Sequence, residues 1–306
     1  MNRLACALLV LSACGSDTRE AAPDAAPIDA AATDLAPPAQ GFQIKTPEIT
    51  IPGNTEILYC YYFKMPVTAE AGVKEWQSKM SPGSHHMILY FTQTEAQPEG
   101  TIDQCGSMDP SNLPVWTYAA QQEDFSQAMP DGVGMPVPAA QPAFIQMHYL
   151  NTTDAAITVH VTLNGNTFAA TDSYTHAAAF VTYNTRIDVP PNSFGSAQGS
   201  CDVPGDVQFF TLSTHAHQHA TETKVGDGDT VLFDSTDWAH PGSMDWASPY
   251  YTFTSGKLDY QCDYYNSTTA DVTTGPSAQT DEMCMAIGYF FPATAPIKCI
   301  NSTIVP

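Results

Sequence analysis

Short apolar runs that alternate with polar residues and stop at turn signals constrain this chain more than any other feature. In Ile157-Thr158-Val159-His160-Val161-Thr162-Leu163 every second side chain is apolar, the two-residue period of a half-buried strand. Comparable runs occupy 56–65, 86–91, 143–149, 207–212, 230–233 and 287–291, and strand propensity dominates over any 3.6-residue period. The expectation is an all-β chain of sandwiches or jelly rolls. Against about 150 residues per domain, the part of the 306-residue chain beyond residue 40 is large for one sandwich and natural for two antiparallel ones in tandem, over 41–172 and 173–306. The break falls between Asn166 and Tyr183, before Ile187-Asp188-Val189-Pro190-Pro191 opens a new strand. No internal sequence repeat is visible.

Charge narrows the partners. Ten Lys and Arg against 32 Asp and Glu leave a formal net charge of -22, and a field of that sign repels polyanions, which excludes nucleic acid. With 43% hydrophobic and 14% charged residues, the bulk is too apolar for disorder and too poor in Lys, Arg and Glu for a coiled coil.

The N-terminus reads as a targeting segment. Asn2 and Arg3 precede an apolar run over 4–11, a signal-peptide length and far short of a bilayer span. The run ends in Leu11-Ser12-Ala13-Cys14, which resembles a bacterial lipobox, so 1–14 is expected to be a leader and Cys14 a lipidated residue. Residues 15–40, rich in Ala, Pro and Asp, read as a disordered tether. Export to the bacterial cell envelope follows, with membrane contact only through the lipid. Gly15 rather than Asp after Cys14 favours passage to an outer membrane.

Cys6 leaves with the leader, and Cys60, Cys105, Cys201, Cys262, Cys284 and Cys299 remain. An even set in an exported chain without Cys-x-x-Cys argues for disulfides rather than thiolate metal sites, with about 15 pairings open.

The histidines carry the chemistry. In Thr214-His215-Ala216-His217 the spacing i, i+2 puts two imidazoles on one face of a strand,, a pattern suited to one metal ion. His219 shares the parity and is either a third ligand or the end of the strand. In Pro82-Gly83-Ser84-His85-His86 two neighbours can reach one ion only if the backbone is irregular at His85, which the preceding turn permits. His148, in Gln146-Met147-His148-Tyr149, stands alone on a strand. In Asp281-Glu282-Met283-Cys284 a thioether would be a soft ligand that favours Cu(I), although Met283 in isolation reads as core filling. His160, His176 and His240 read as structural or exposed. Asn151, Asn266 and Asn301 open glycosylation triplets that a bacterial leader makes irrelevant.

His-His, Gln-x-His-Tyr, His-x-His and Asp-Glu-Met-Cys, in that order along a β-rich exported chain, resemble the copper type II, ascorbate-dependent monooxygenases. This is the family of peptidylglycine alpha-hydroxylating monooxygenase and dopamine beta-monooxygenase. The resemblance spans most of 45–305 and implies two coppers on facing sides of a solvent-filled cleft. His85, His86 and His148 would hold the electron-transfer copper, and His215, His217 and Met283 the oxygen-activating one, with His219 outside the set. It implies the pairs Cys60–Cys105, Cys201–Cys299 and Cys262–Cys284. It also implies hydroxylation of a substrate C–H with O2 and ascorbate or a similar reductant, by a chain expected to be monomeric.

The chain departs from the peptide-amidating branch at the substrate positions. Ser213 stands where that branch has an Arg that pairs with the peptide carboxylate, and Met285 and Ile287 stand where it has Asn and Tyr; only Gln146 is retained. Without the cation, a neutral or amine-bearing substrate fits better than a glycine-extended peptide. Two family disulfides are missing as well, one of them at Thr92. The competing reading is a copper-binding or storage lipoprotein that keeps the ligands without turnover; a third is a lectin-like jelly roll with structural histidines.

Overall fold

Alternation in the sequence becomes alternation of burial in the computed structural model, which describes residues 34–106 and 114–305. Strand Lys257–Asn266 shows it most plainly, with every second side chain buried from Leu258 to Asn266. The described residues contain strands and no helix, an all-β architecture of stacked, mostly antiparallel sheets, with Ala178–Tyr183 parallel to Ile297–Ile300. The leader 1–14, lipid acceptor Cys14 and the tether as far as residue 33 lie outside the described residues. Contacts begin before the composition changes at Gln40: Asp34 accepts hydrogen bonds from Lys45 and Thr162 and pairs with His160, while Ala36 O accepts from Asn164.

Two sheets form the first half. One runs in the order Gly41–Lys45, Val161–Thr167, Ala71–Met80, Val133–Val137, Thr175–His176, with Asp124–Ala128 also paired to Ala71–Met80. The other runs Ile102–Gln104, Thr55–Lys64, Pro142–Asn151, Ser84–Phe91, Val115–Ala120. In the second half one sheet runs Met244–Asp245, Gln208–His215, Met285–Phe291, Ala178–Tyr183, Ile297–Ile300, Thr303–Val305, and faces Ser193–Asp202, Lys257–Asn266, Ala220–Asp227, Thr230–Ser235. The chain crosses between halves at Ala177, after Thr175–His176 adds a parallel edge to the first.

The halves share interior. Met87, Leu89, Tyr118, Ile145 and Met147 of the first half lie in one apolar cluster with Ala179, Val181, Phe210, Met285, Ile287 and Tyr289 of the second. The alternate residues of those second-half strands, among them Phe180, Phe209, Leu212 and Phe290, point into a separate cluster with Tyr260 and Cys262. A sheet buried on both faces needs near-continuous apolar strands, which accounts for the run over 287–291. The described residues accordingly form one compact unit.

A structural repeat relates the halves although the sequence showed none. Asn151 Nδ2 donates to Ile51 O, Pro52 O and Ala155 O, and its Oδ1 accepts from Thr153 N and Oγ1. Asn266 does the same with Val189 O, Pro190 O, Ala270 O and Thr268. Each faces the first residue of a long strand, Thr55 or Ser193, directly after an Asn with φ 52°. Both amides are fully engaged and buried, so neither triplet can accept a glycan in the folded chain.

Three disulfides, Cys60–Cys105, Cys201–Cys299 and Cys262–Cys284, are formed, the pairing that the resemblance implied. They point to an oxidising compartment. Among the described residues no helix is long and apolar enough to cross a membrane.

Candidate metal centre

A bulge brings the first two histidines to one place. His86 faces His148 across the ladder, but the next pair is Tyr149 with Ser84. His85 is therefore the unpaired extra residue, and the extra residue of a bulge is re-aimed. Gly83, at φ +90°, makes the preceding turn. The irregularity needed at His85 is thus present, and the His85, His86 and His148 rings stand 4.9–5.2 Å apart. Their ligand atoms lie within 4.8 Å of one another.

His215 ends its strand opposite Met285, and His217 lies just beyond in the turn into Ala220–Asp227, their rings 5.3 Å apart and perpendicular. The second pair meets the first instead of facing it across solvent. The His86 and His215 centroids are 5.0 Å apart and those of His85 and His215 5.7 Å. The ligand atoms of His85, His215 and His217 also form a set within 4.8 Å. This corrects the expected solvent-filled cleft: all five rings are buried, and rings at such separations leave no layer of water between the sets. Trp238, 5.4 Å from His85, lies against the cluster from the second half.

Each imidazole keeps one buried nitrogen without a partner: Nε2 of His85, His215 and His217, and Nδ1 of His86 and His148. Three are oriented through the other nitrogen. His148 Nε2 donates to Glu56 at 2.8 Å, His215 Nδ1 to Gln121 Oε1 at 2.6 Å and His217 Nδ1 to the Asp281 carbonyl at 3.2 Å. All three partners accept, so in His215 and His217 the lone pair sits on the orphaned nitrogen. Burial, reinforced by neighbouring imidazoles, lowers His85 to about 3 and holds His86 and His215 well below the usual range. Burial also lowers His217 to about 4, against the pull of the Asp281 carbonyl. These four rings are neutral at pH 7, as ligation requires.

Two of the orienting groups cross the junction. Gln121 of the first half also donates to Thr214 O. Glu56 accepts from Ser277 Oγ and Ala278 N of the second half. Burial raises the Glu56 carboxyl, but the hydrogen bonds from His148, Ser277 and Ala278 outweigh it and bring it down to about 2. Buried Glu282 accepts from the backbone N–H groups of His217, His219 and Met283, fastening the His-x-His turn to the methionine. Burial pushes its carboxyl up to about 7 against those N–H groups.

Met283 is half-buried against the shared apolar cluster, with its carbonyl held by Tyr264 Oη at 3.0 Å, and the Cys262–Cys284 bond braces the same segment. Met285 and Ile287 are buried in that cluster. Ser213 donates to Gly242 O at 2.6 Å, and half-buried Gln146 pairs with Cys60 and Ile88. His219 is buried, with Nε2 unpartnered, but belongs to neither ligand set. Of the remaining histidines, His160 pairs with Asp34, His176 stacks on Tyr174, and His240 is exposed beside Asp237. Glu56, Gln121 and Trp238 gave no sequence signal, since only the fold brings them to the histidines. Glu282 lay inside a recognised motif without a role.

No family model matches the chain, and no curated protein matches it. Among solved structures it is similar to the STIV MCP (9% identity over 82% of this chain and 92% of that one, TM-score 0.30). It is also similar to PNGase F, a glycosylasparaginase from Flavobacterium meningosepticum (9% identity over 87% and 96%, TM-score 0.32).

Proposed function

We propose that this chain is a copper-dependent monooxygenase of the type II, ascorbate-dependent kind, lipid-anchored in a bacterial envelope, that hydroxylates a C–H of a neutral or amine-bearing small molecule. The observation that carries the metal reading is the convergence of five buried imidazoles, each with one ring nitrogen left unpaired. An unpaired buried polar atom is costly, and five in one place find their natural partner in a cation. Imidazoles suit copper, zinc, iron or nickel; the thioether of Met283 and the order of the four motifs select copper.

His85, His86 and His148 would hold one ion and His215, His217 and Met283 the other. Copper supplies one-electron chemistry and a place for dioxygen, with ascorbate or a similar reductant as electron source. Glu56, Gln121 and the Asp281 carbonyl fix the tautomer and the direction of the rings. Glu282 keeps the His-x-His turn and Met283 in register, while Trp238 and the buried walls restrict water. No side chain has to act as a general base.

The test is copper content per folded chain after loading and desalting, followed by incubation with ascorbate, O2 and a panel of neutral and amine-bearing substrates. Two equivalents, falling to one in His215→Ala, with ascorbate-dependent hydroxylation of at least one substrate, is the expected result. Two equivalents with no product from any substrate would replace the enzyme reading by copper storage.

A further inference from the structure

We propose that the first divalent transition-metal ion to bind seats between the halves, on His85 of the first and His215 and His217 of the second, and fastens the two sandwiches together. The proposal deepens the metal reading above and rests on it, but assigns the first ion to a ligand set that neither half contains alone.

Geometry singles out this set. The three ligand atoms lie within 4.8 Å of one another, all three side chains are buried, and the Nε2 of each is unpartnered. His85 is the bulged residue, unpaired in its own ladder, and is common to both candidate sets. The sets therefore compete for one imidazole.

Preorganisation decides the competition. In the mixed set two of three rings are locked through Nδ1, by Gln121 and by the Asp281 carbonyl. In the set confined to the first half only His148 is locked, by Glu56. Rings already held in the bound orientation lose less freedom on ligation and bind more tightly. One of the two locks comes from the opposite half, so the mixed site exists only while the halves are docked. Three imidazoles leave a fourth position open on a tetrahedral ion. A second ion would take His85 out of the bridge and into the set with His86 and His148, to which it already belongs.

The experiment is a calorimetric titration of the metal-free full chain with Zn(II), which is redox-inert and separates binding from turnover. The first equivalent is expected to bind more tightly than any second, and to be weakened by more than about 10-fold in His85→Ala and in His215→Ala, with a smaller loss in His86→Ala and Met283→Ala. Sensitivity to His86→Ala without sensitivity to His215→Ala would put the ion in the first half and overturn the bridge. Sensitivity to Met283→Ala without sensitivity to His85→Ala would put it in the second half and overturn it equally. No zinc binding removes both the bridge and the metal reading, whereas tight zinc binding with no hydroxylation by the copper-loaded chain removes only the monooxygenase. Circular dichroism checks each variant, and His85→Gln and His215→Gln, which retain bulk, replace any alanine variant that does not fold. Hydrogen exchange gives a second readout: one equivalent of zinc slows amide exchange in 84–86 and 214–217 together if the ion bridges, and in only one segment if it does not.

Discussion

Gln121 Oε1 and His215 Nδ1 stand 2.6 Å apart although 94 positions separate them in the chain. The amide belongs to the first half and the imidazole to the second, so the aim of a metal ligand is set from across the junction. Glu56 ties His148 to Ser277 and Ala278 in the opposite sense. Each half therefore carries part of the other's metal-orienting apparatus.

Replacing Gln121 by Ala frees His215 to rotate and to take the wrong tautomer. Metal affinity should fall by about 10–100-fold with little change in the unfolding temperature of the metal-free chain, read by titration and calorimetry. Affinity equal to wild type would show that the hydrogen bond orients nothing.

Met283→Ala should abolish product formation while the chain remains folded, because the Cys262–Cys284 bond and Glu282 still hold the segment. Turnover assays beside circular dichroism separate the two effects. Unchanged turnover would remove Met283 from the oxygen-activating site.

The buried rings make a prediction about acid. His85 and His217 are lowered to about 3 and about 4, chiefly by burial, whereas the unfolded chain binds protons at about 6.5. Unfolded molecules then hold more protons than folded ones below that pH, and stability of the metal-free chain falls as pH drops from about 6.5. The NMR signals of the His85 and His217 imidazoles in the folded chain should not titrate between about pH 5 and 8,. Titration of these two rings near about 6.5 would mean that water reaches the cluster and that the halves stand open.

Asn151→Ala and Asn266→Ala should cost the same, about 1–3 kcal/mol each, because each removes the amide that donates to three backbone carbonyls,. Denaturant unfolding of the two variants measures it. A loss at one site alone would break the structural equivalence of the halves.

The fold was legible where periodicity speaks: strands such as 143–149 and 287–291 follow from apolar alternation and apolar runs. At the centre, local geometry carried the histidine motifs, since His-x-His needs only neighbouring positions, and a Pro-Gly turn permitted the bulge that re-aims His85. What stayed hidden was long-range. Glu56 and Gln121 are ordinary polar residues until pairing across 92 and 94 positions delivers them to His148 and His215. The repeat shows in the sequence only as the triplets that Asn151 and Asn266 open, because apart from the Thr153 and Thr268 hydroxyls their partners are backbone groups, which place almost no demand on residue identity. The closeness of the two ligand sets escaped because it is set by how the sheets dock, and no single strand encodes that.

The apolar face formed by Ala179, Val181, Phe210, Ile287 and Tyr289 has a consequence for biogenesis. A chain emerging from the N-terminus completes its first two sheets long before 287 and 289 are made, so that interior waits with one side uncovered. Folding as two independent beads is closed to such a molecule. Its second half must arrive before the first can finish, and a chain halted near Ala177 should be a substrate for chaperones or for aggregation rather than a stable fragment.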